Sequence, residues 1–246
     1  MKHLRILSVA FDTSIQPWQL PQFRGAVAKK VGLEHDWFHN HDNENNNFYQ
    51  RYPLIQYKID ARKEQMRPML LFLNDGIEEA QHFFSQPDWG LRIGQQDYDM
   101  RIARLQVHQH NLHTWEQPFH YRIHKWRALN SEHFREWQAL SGIAEKYAFL
   151  ENILVAHILS FARAVDWQLD QRLELKITHT AKEEWISFKD IKMLCFTLNF
   201  SANASLPDFI GLGKGAGVGF GVVKRDRVMG EDKHEPSSET TDKIII

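Results

Sequence analysis

Two histidines one residue apart, His39 and His41 in the run HNHD, have the type and spacing for acid–base chemistry on a phosphodiester. Alternate residues of an extended segment point the same way with α-carbons about 6 to 7 Å apart, so two imidazoles can flank one phosphate. One would take the proton of a ribose 2'-hydroxyl and the other would protonate the departing 5'-oxygen, a division of labour that needs no metal ion. The same pattern also suits a solvated polar loop, and spacing alone leaves both readings open.

A second feature is the run GLGKGAGVGFG from Gly211 to Gly221, which holds six glycines and Lys214. Lys214 is followed by glycine rather than Ser or Thr and no helix pattern follows, which excludes a P-loop. Too little chain remains for a dinucleotide-binding βαβ unit. Backbone N–H groups in such a run can approach phosphate oxygens, so Gly213, Lys214, Gly215, Gly217 and Gly219 are candidate phosphate contacts; a tight packing turn is the alternative. A Cβ at Gly217 or Gly219 is expected to clash with backbone or with bound RNA. His108, His110 and His113 could suggest a metal site by spacing, but His108 and His110 lie at strand spacing beside a loop without a nearby carboxylate, so no metal site is assigned there. GxSxG, HExxH and CxxC motifs are absent, which leaves serine hydrolase, zincin and redox chemistry without an anchor. Metal ions and other cofactors are not expected.

The elements that position these residues follow from periodicity. LRILSVAF reads as a strand, and Leu20, Phe23, Val27 and Val31 fall on one face of a helix. After the polar loop HNHDNENNN, YPLIQYKI and RPMLLFL are strand-like. NDG then turns the chain into a helix carrying Ile77, Ala80 and Phe84, and 98–110 reads as a further strand. That order, βαββαβ, is the ferredoxin-like pattern. The second half opens with the alternating strand PFHYRIHKW and a helix capped by Ser131. A longer helix follows, with Ile143, Tyr147, Leu150, Leu154, Ile158 and Phe161 on one face. RLELKI, WISFKDIKMLCFTLNF and GVGFGVVK complete the series as strands. The expectation is therefore an α+β chain of two tandem ferredoxin-like (RRM-like) domains, 1–112 and 113–224, joined near 110–118. From 225 to 246 the chain is polar and charged and reads as a disordered tail.

Composition is globular, with 43% hydrophobic and 25% charged residues. No apolar stretch reaches the roughly 20 residues that cross a bilayer, and the start has too short an apolar run for a secretory signal, so a cytoplasmic protein without a membrane partner is expected. The single cysteine, Cys195, cannot form an internal disulfide and reads as a structural residue of a buried strand. Net charge is −1, yet the final EDKHEPSSETTDKIII carries five acids and two lysines. Without that segment 26 acids face 28 bases, so affinity for RNA would have to come from a local basic face.

Taken in order, these segments resemble the CRISPR-associated endoribonucleases of the RAMP superfamily that process precursor CRISPR RNA. The resemblance rests on LPQFRGAVAKK, the HNHD loop and RYPLIQYKI in the first half. In the second it rests on KMLCFTLNF and PDFIGLGKGAGVGFGVVK, for a coverage of about residues 1–224. It implies metal-independent cleavage of a CRISPR repeat by the 2'-hydroxyl, leaving a 2',3'-cyclic phosphate and a 5'-hydroxyl. It also implies His39 and His41 as the acid–base pair, with Lys30 and Tyr52 completing the catalytic set, and Arg24, Lys29 and Lys58 as further RNA-binding residues. The precursor repeat is the implied partner, with CRISPR effector subunits as additional ones and a monomer or homodimer as the assembly. A subunit that holds guide RNA without cutting it is the alternative in the same superfamily.

Overall fold

A computed structural model describes residues 1–42, 47–48, 51–61, 65–188 and 191–226, with backbone alone at 41–42, 47–48, 180–181 and 188. The chain divides into two compact units. One comprises His3–His110 with Gly217–Gly219; the other comprises Met1–Lys2, Asn111–Ala216 and the chain from Phe220.

The first unit runs β1 (Lys2–Phe11), α1 (Leu20–Val31), two-residue strands β2 (His41–Asp42) and β3 (Asn47–Phe48), β4 (Ile55–Asp60), β5 (Arg67–Leu73), α2 (Ala80–Phe84), a small hairpin of β6 (Leu91–Ile93) and β7 (Gln96–Tyr98), and β8 (Ile102–Leu112). Its main sheet has the order β4-β5-β1-β8, the ferredoxin-like arrangement. The face of α1 read from the sequence is the one that packs: Leu20, Phe23, Val27 and Val31 are buried. Phe23 meets Phe11 of β1 and Tyr57 of β4 edge-on, with ring centroids 6.1 and 5.6 Å apart, the orientation that aromatic quadrupoles favour. The second helix of the pattern is a single 3-10 turn at Asn74–Ile77 followed by the five-residue α2, and the β6–β7 hairpin was not foreseen. The fourth strand begins at Ile102 rather than near Tyr98, which belongs to β7.

The second unit contains β9 (Thr114–Trp126), α3 (Ser131–Ala139), α4 (Ile143–Ala164), β10 (Leu175–Phe188), β11 (Ile191–Ala204) and β12 (Val222–Arg225). Its sheet order β10-β11-β9-β12 repeats the same topology. The cap of α3 is Asn130, not Ser131: its side chain accepts a hydrogen bond from the His133 amide at 2.7 Å. On α4, Leu150, Leu154, Ile158 and Phe161 are buried, whereas Ile143 is exposed. WISFKDIKMLCFTLNF is not one strand: WISF closes β10, and β11 returns antiparallel from Ile191. Cys195 is buried on β11, and burial pushes its thiol up to about 11. Where the first unit has α2, this unit has the glycine-rich hairpin instead. Phe209 to Leu212 bond antiparallel to Gly221–Val223, and the glycines between make the turn. The last strand starts at Val222 and reaches Arg225, with the Asp226 amide still bonded to His120; the rest of the expected tail lies outside the described residues.

β4 would be the edge of the first sheet, but Val218 pairs with it in parallel, through a Tyr57 amide that donates to the Gly217 carbonyl at 2.8 Å. β4 is also unusually polar for a buried strand. Gln56, Lys58 and Asp60 are all buried, Asp60 against the Arg104 guanidinium on β8 at 2.5 Å. Burial lowers the Lys58 ammonium to about 7 from 10.5.

Two measurements test this arrangement. Gly219 has φ 83° and an added Cβ would run into the Leu20 side chain, while Gly217 has ordinary φ and would meet Pro53 at 3.4 Å. Of the two, only Gly219 would bring a Cβ into overlap, and with a side chain rather than with backbone. Gly219→Ala should lose about 2 kcal/mol or more in denaturant unfolding, and Gly217→Ala less than about 1 kcal/mol. Equal losses would show that the loop is not held in this conformation. For Lys58, the unfolded chain keeps a proton that the folded chain releases above about 7, so the cost of burial is full below about pH 7 and relieved towards 10.5. Lys58→Met should therefore raise the denaturant midpoint most at pH 6, with the difference narrowing by pH 10; a pH-independent difference would refute the lowered ammonium.

Candidate functional site

The segment after α1 folds back on itself. Gly32 leaves the helix at φ 106°, a 3-10 turn spans Asp36–Phe38, and His39 follows as its C-cap. The His39 ring reaches back to the start of the segment, with Nε2 2.9 Å from the Leu33 carbonyl oxygen. A carbonyl only accepts, so in the neutral ring Nε2 carries the hydrogen and Nδ1 is the basic nitrogen. The turn is held from two sides. Below it, the buried Tyr57 hydroxyl donates to the Phe38 carbonyl at 2.9 Å, and burial, opposed by the Arg24 charge, raises the phenol above its ordinary range. Beside it, Arg51 approaches the Asp36 carboxylate at 3.5 Å, donates to Asn40 Oδ1 at 3.3 Å and lies over the Trp37 ring. Asn40 sits at φ 50°, a left-handed conformation that asparagine tolerates better than most residues. The backbone of His41 pairs with Phe48 in the short ladder. Its side chain lies outside the described residues.

The return of His39 to Leu33 brings it against the exit of α1, whose last turn carries Lys29 and Lys30. These cations offset the negative end of the helix dipole. Lys29 is exposed, and Lys30 is half-buried with its ammonium 2.5 Å from Asp88 Oδ1. That hydrogen bond, with a second from the Gly90 amide, holds the Asp88 carboxyl below its usual range. Arg24 is half-buried next to Tyr57, and burial lowers its guanidinium. Two other candidates are not presented to solvent. Lys58 is fully buried, and Tyr52 is buried with its hydroxyl accepting from Gln56 Nε2 at 2.8 Å; burial raises its pKa. Both were expected at a phosphate, and the structure instead buries both side chains.

In the glycine hairpin, Gly213, Gly215, Gly219 and Gly221 have positive φ. A Cβ on Gly213 would strike the Trp126 indole, which donates to His157 Nδ1 at 3.1 Å, and the His157 ring. Burial lowers that imidazole to about 4, so it stays neutral and able to accept. Lys214, between two such glycines, is exposed at the turn. These glycines therefore serve the turn itself; Lys214 is the member free of packing against the hairpin's own core.

The second unit offers a feature that the sequence reading did not assign. Strand alternation puts His120, Arg122 and His124 of β9 on one face of its sheet. Register aligns Arg122 with Asn199 of β11 and with Lys224 of β12, and Lys176, His179 and Lys182 of β10 oppose Ser201, Asn199 and Thr197. Arg122, Lys176, His179, Lys182 and Lys224 are exposed. Among the described residues, the acids here include Glu184, Asp226, which accepts from Asn199 at 3.2 Å, and Glu151, whose carboxylate lies 3.0 Å from the Lys176 ammonium. Burial first, then Lys125 and Arg122, lowers the His124 imidazole, whose Nδ1 lies 3.3 Å from the Thr197 hydroxyl. The signal was present in PFHYRIHKW, where the polar positions of the alternation are all His or Arg. Arg51 was also missed, since nothing in its neighbourhood of sequence marks its contacts.

No helix of the described residues is long and apolar enough to cross a membrane. His108, His110 and His113 do not gather a set of metal ligands; among the described residues His35, Glu79 and His82 do.

Comparison with known proteins agrees with this geometry. Residues 2–111 match the family model of the Cas6b N-terminal domain and residues 113–226 that of the Cas6b C-terminal domain. An uncharacterized protein of Methanocaldococcus jannaschii is 30% identical over 103 residues, 42% of this chain and 69% of that protein. A crystal structure of Cas6b is similar with a TM-score of 0.79 at 25% identity, over 92% of this chain and 100% of the other. A CRISPR RNA processing endoribonuclease, Cas6b, gives 0.67 at 22% identity over the same shares, and the CRISPR-Cas type IV Cas6 crRNA endonuclease Csf5 gives 0.54 at 12%; these two share the fold. With two ferredoxin-like sheets, a glycine-rich hairpin before the last strand, and both halves matched, the chain belongs to the Cas6b family, CRISPR-associated endoribonucleases of the RAMP superfamily.

Proposed function

We propose that this chain cuts precursor CRISPR RNA at its repeats without a metal ion, by attack of a 2'-hydroxyl on the adjacent phosphodiester. The observation that carries this reading is the anchoring of His39, whose ring Nε2 lies 2.9 Å from the Leu33 carbonyl oxygen at the end of a turn braced by Tyr57 and Arg51. A neutral ring that donates there through Nε2 takes up a proton at Nδ1. His39 is then the general base for the 2'-hydroxyl, and His41 is the general acid for the 5'-oxygen. The attack produces a 2',3'-cyclic phosphate and a 5'-hydroxyl. Lys30, steered by Asp88 at the mouth of α1, adds positive charge where the phosphorane gains negative charge. Lys29 and Lys214 hold the backbone, and the basic sheet face of the second unit supplies the affinity that a net charge of −1 does not. Tyr52 and Lys58, both buried, belong to the packing of the first unit rather than to the RNA surface. The substrate is the repeat RNA, bound by a protein that belongs in the cytoplasm alongside the effector subunits that receive the product.

His39→Ala should slow cleavage of the repeat by roughly two to four orders of magnitude while the dissociation constant barely changes. A repeat carrying 2'-deoxyribose at the cut should bind and stay intact, and excess EDTA should leave the rate as it is. If His39→Ala cuts at the wild-type rate, the base is elsewhere; if the wild-type protein binds the repeat and never cuts it, the guide-holding subunit is the correct reading. Arg122→Ala and Lys224→Ala should each weaken binding across sequences and reduce the slope of log K against log salt by about 1, which a pair of non-contacting residues would not do.

A further inference from the structure

The geometry points to a binding site for one zinc-class divalent cation formed by His35, Glu79 and His82. The three residues come from two places that are remote in sequence. His35 lies in the segment between α1 and the 3-10 turn, whereas Glu79 and His82 stand at the start and middle of α2. One nitrogen or oxygen from each falls within 4.8 Å of the other two. The spacing i to i+3 sets Glu79 and His82 on the same side of the helix, with His82 Nε2 3.7 Å from Glu79 Oε2. The His35 ring stacks on that of His82, with centroids 3.8 Å apart and planes at 27°. Side-chain exposure is 26% for His35, 24% for Glu79 and 32% for His82, so the donors are partly withdrawn from water and still open on one side.

Two imidazoles and one carboxylate form a borderline donor set, which suits zinc and its neighbours better than magnesium or calcium. Tetrahedral zinc with bonds of about 2.0 to 2.1 Å brings its ligands to about 3.3 Å from one another. The Glu79–His82 pair is already close to that at 3.7 Å, and the third donor lies within 4.8 Å of both. Three protein donors leave the fourth position to water. Glu34 Oε1, 4.0 Å from His35 Nε2, is near enough to add negative charge next to the ion. The surroundings thus favour a cation, and a stacked pair of imidazoles that would repel one another when protonated becomes a chelating pair when it shares a metal.

Bound there, the ion would pin α2 to the segment from Gly32 to Asn40, which carries His39. It has no part in the proton transfers, and the site stands whether or not the chain cuts RNA. The test uses the full chain, stripped with chelator and dialysed free of it. Calorimetric titration with Zn2+ should give one site at about micromolar affinity or tighter, and Co2+ should give the visible absorption of a tetrahedral centre. Excess Zn2+ should raise the Tm by several degrees, about what ligand linkage gives at a hundredfold excess over Kd. His35→Ala and His82→Ala should each weaken binding at least about 10- to 100-fold, and Glu79→Gln should weaken it less. Circular dichroism of each variant, and the milder His82→Gln, separate loss of the site from loss of the fold. The chain has 14 histidines, so the decisive outcome is specificity. Stoichiometric binding that survives in a folded His35→Ala/His82→Ala variant, or a wild-type protein that takes up no zinc below millimolar concentration, overturns the proposal.

Discussion

Tyr57 is engaged at both ends, and much of the first unit is organised by that. Its amide donates to Gly217 and its hydroxyl to the Phe38 carbonyl, while its ring packs on Phe23 of α1. A single residue in the middle of β4 thereby fixes the helix, the turn that ends in His39, and the glycine hairpin. The constraint runs in both directions. An open strand edge is a row of unmet hydrogen bonds, and covering it with another strand removes that liability. The covering segment must approach closely where Leu20 and Pro53 already fill the space, and a left-handed glycine at 219 meets that demand. The same strand then has room for a buried Asp60–Arg104 pair and for Lys58, polar groups that an outer strand would normally give to water.

Electrostatics in this chain is a matter of direction rather than total. A net charge of −1 hides a sheet face on which Arg122, Lys176, Lys182 and Lys224 project together, because a two-residue period sends every second side chain to the same side. The apolar residues between them, Tyr121, Ile123, Phe200 and Val223, are buried on the other side. A phosphate backbone senses the local density and not the sum, so a polyanion can find this surface on a nearly neutral protein.

The parts of the fold set by local periodicity were legible from residues alone. α1 was visible because Leu20, Phe23, Val27 and Val31 keep a 3.6-residue period, and β9 because Phe119, Tyr121 and Ile123 alternate with His120, Arg122 and His124. What was not legible depends on contacts between remote residues. The reversal of direction from β10 to β11 falls inside a run that reads as continuous strand, since propensity does not say where a strand reverses. Ser131 and Asn130 are both good caps, and only the backbone angles of the chain leaving β9 choose between them. Tyr52 and Lys58 read as groups reaching a phosphate because their burial leaves no mark on two polar letters. Gly217 and Gly219 look equivalent in the sequence and differ in φ. At the site, the histidine loop was visible as a motif, but the engagement of Nε2 with Leu33, which distinguishes the two ring nitrogens, is a property of the fold. His35 and His82 share no motif at all.

The parallel pairing of Val218 with Tyr57 has a consequence for the order in which the protein is made. The residues that finish the first unit's sheet are encoded near the far end of the chain, after both of the second unit's helices and its three long strands. Synthesis delivers the first 110 residues well before it delivers Gly217–Gly219, and in that interval β4 has an exposed edge. The N-terminal unit is therefore not a module that matures and waits. Its sheet stays one pairing short until the hairpin arrives.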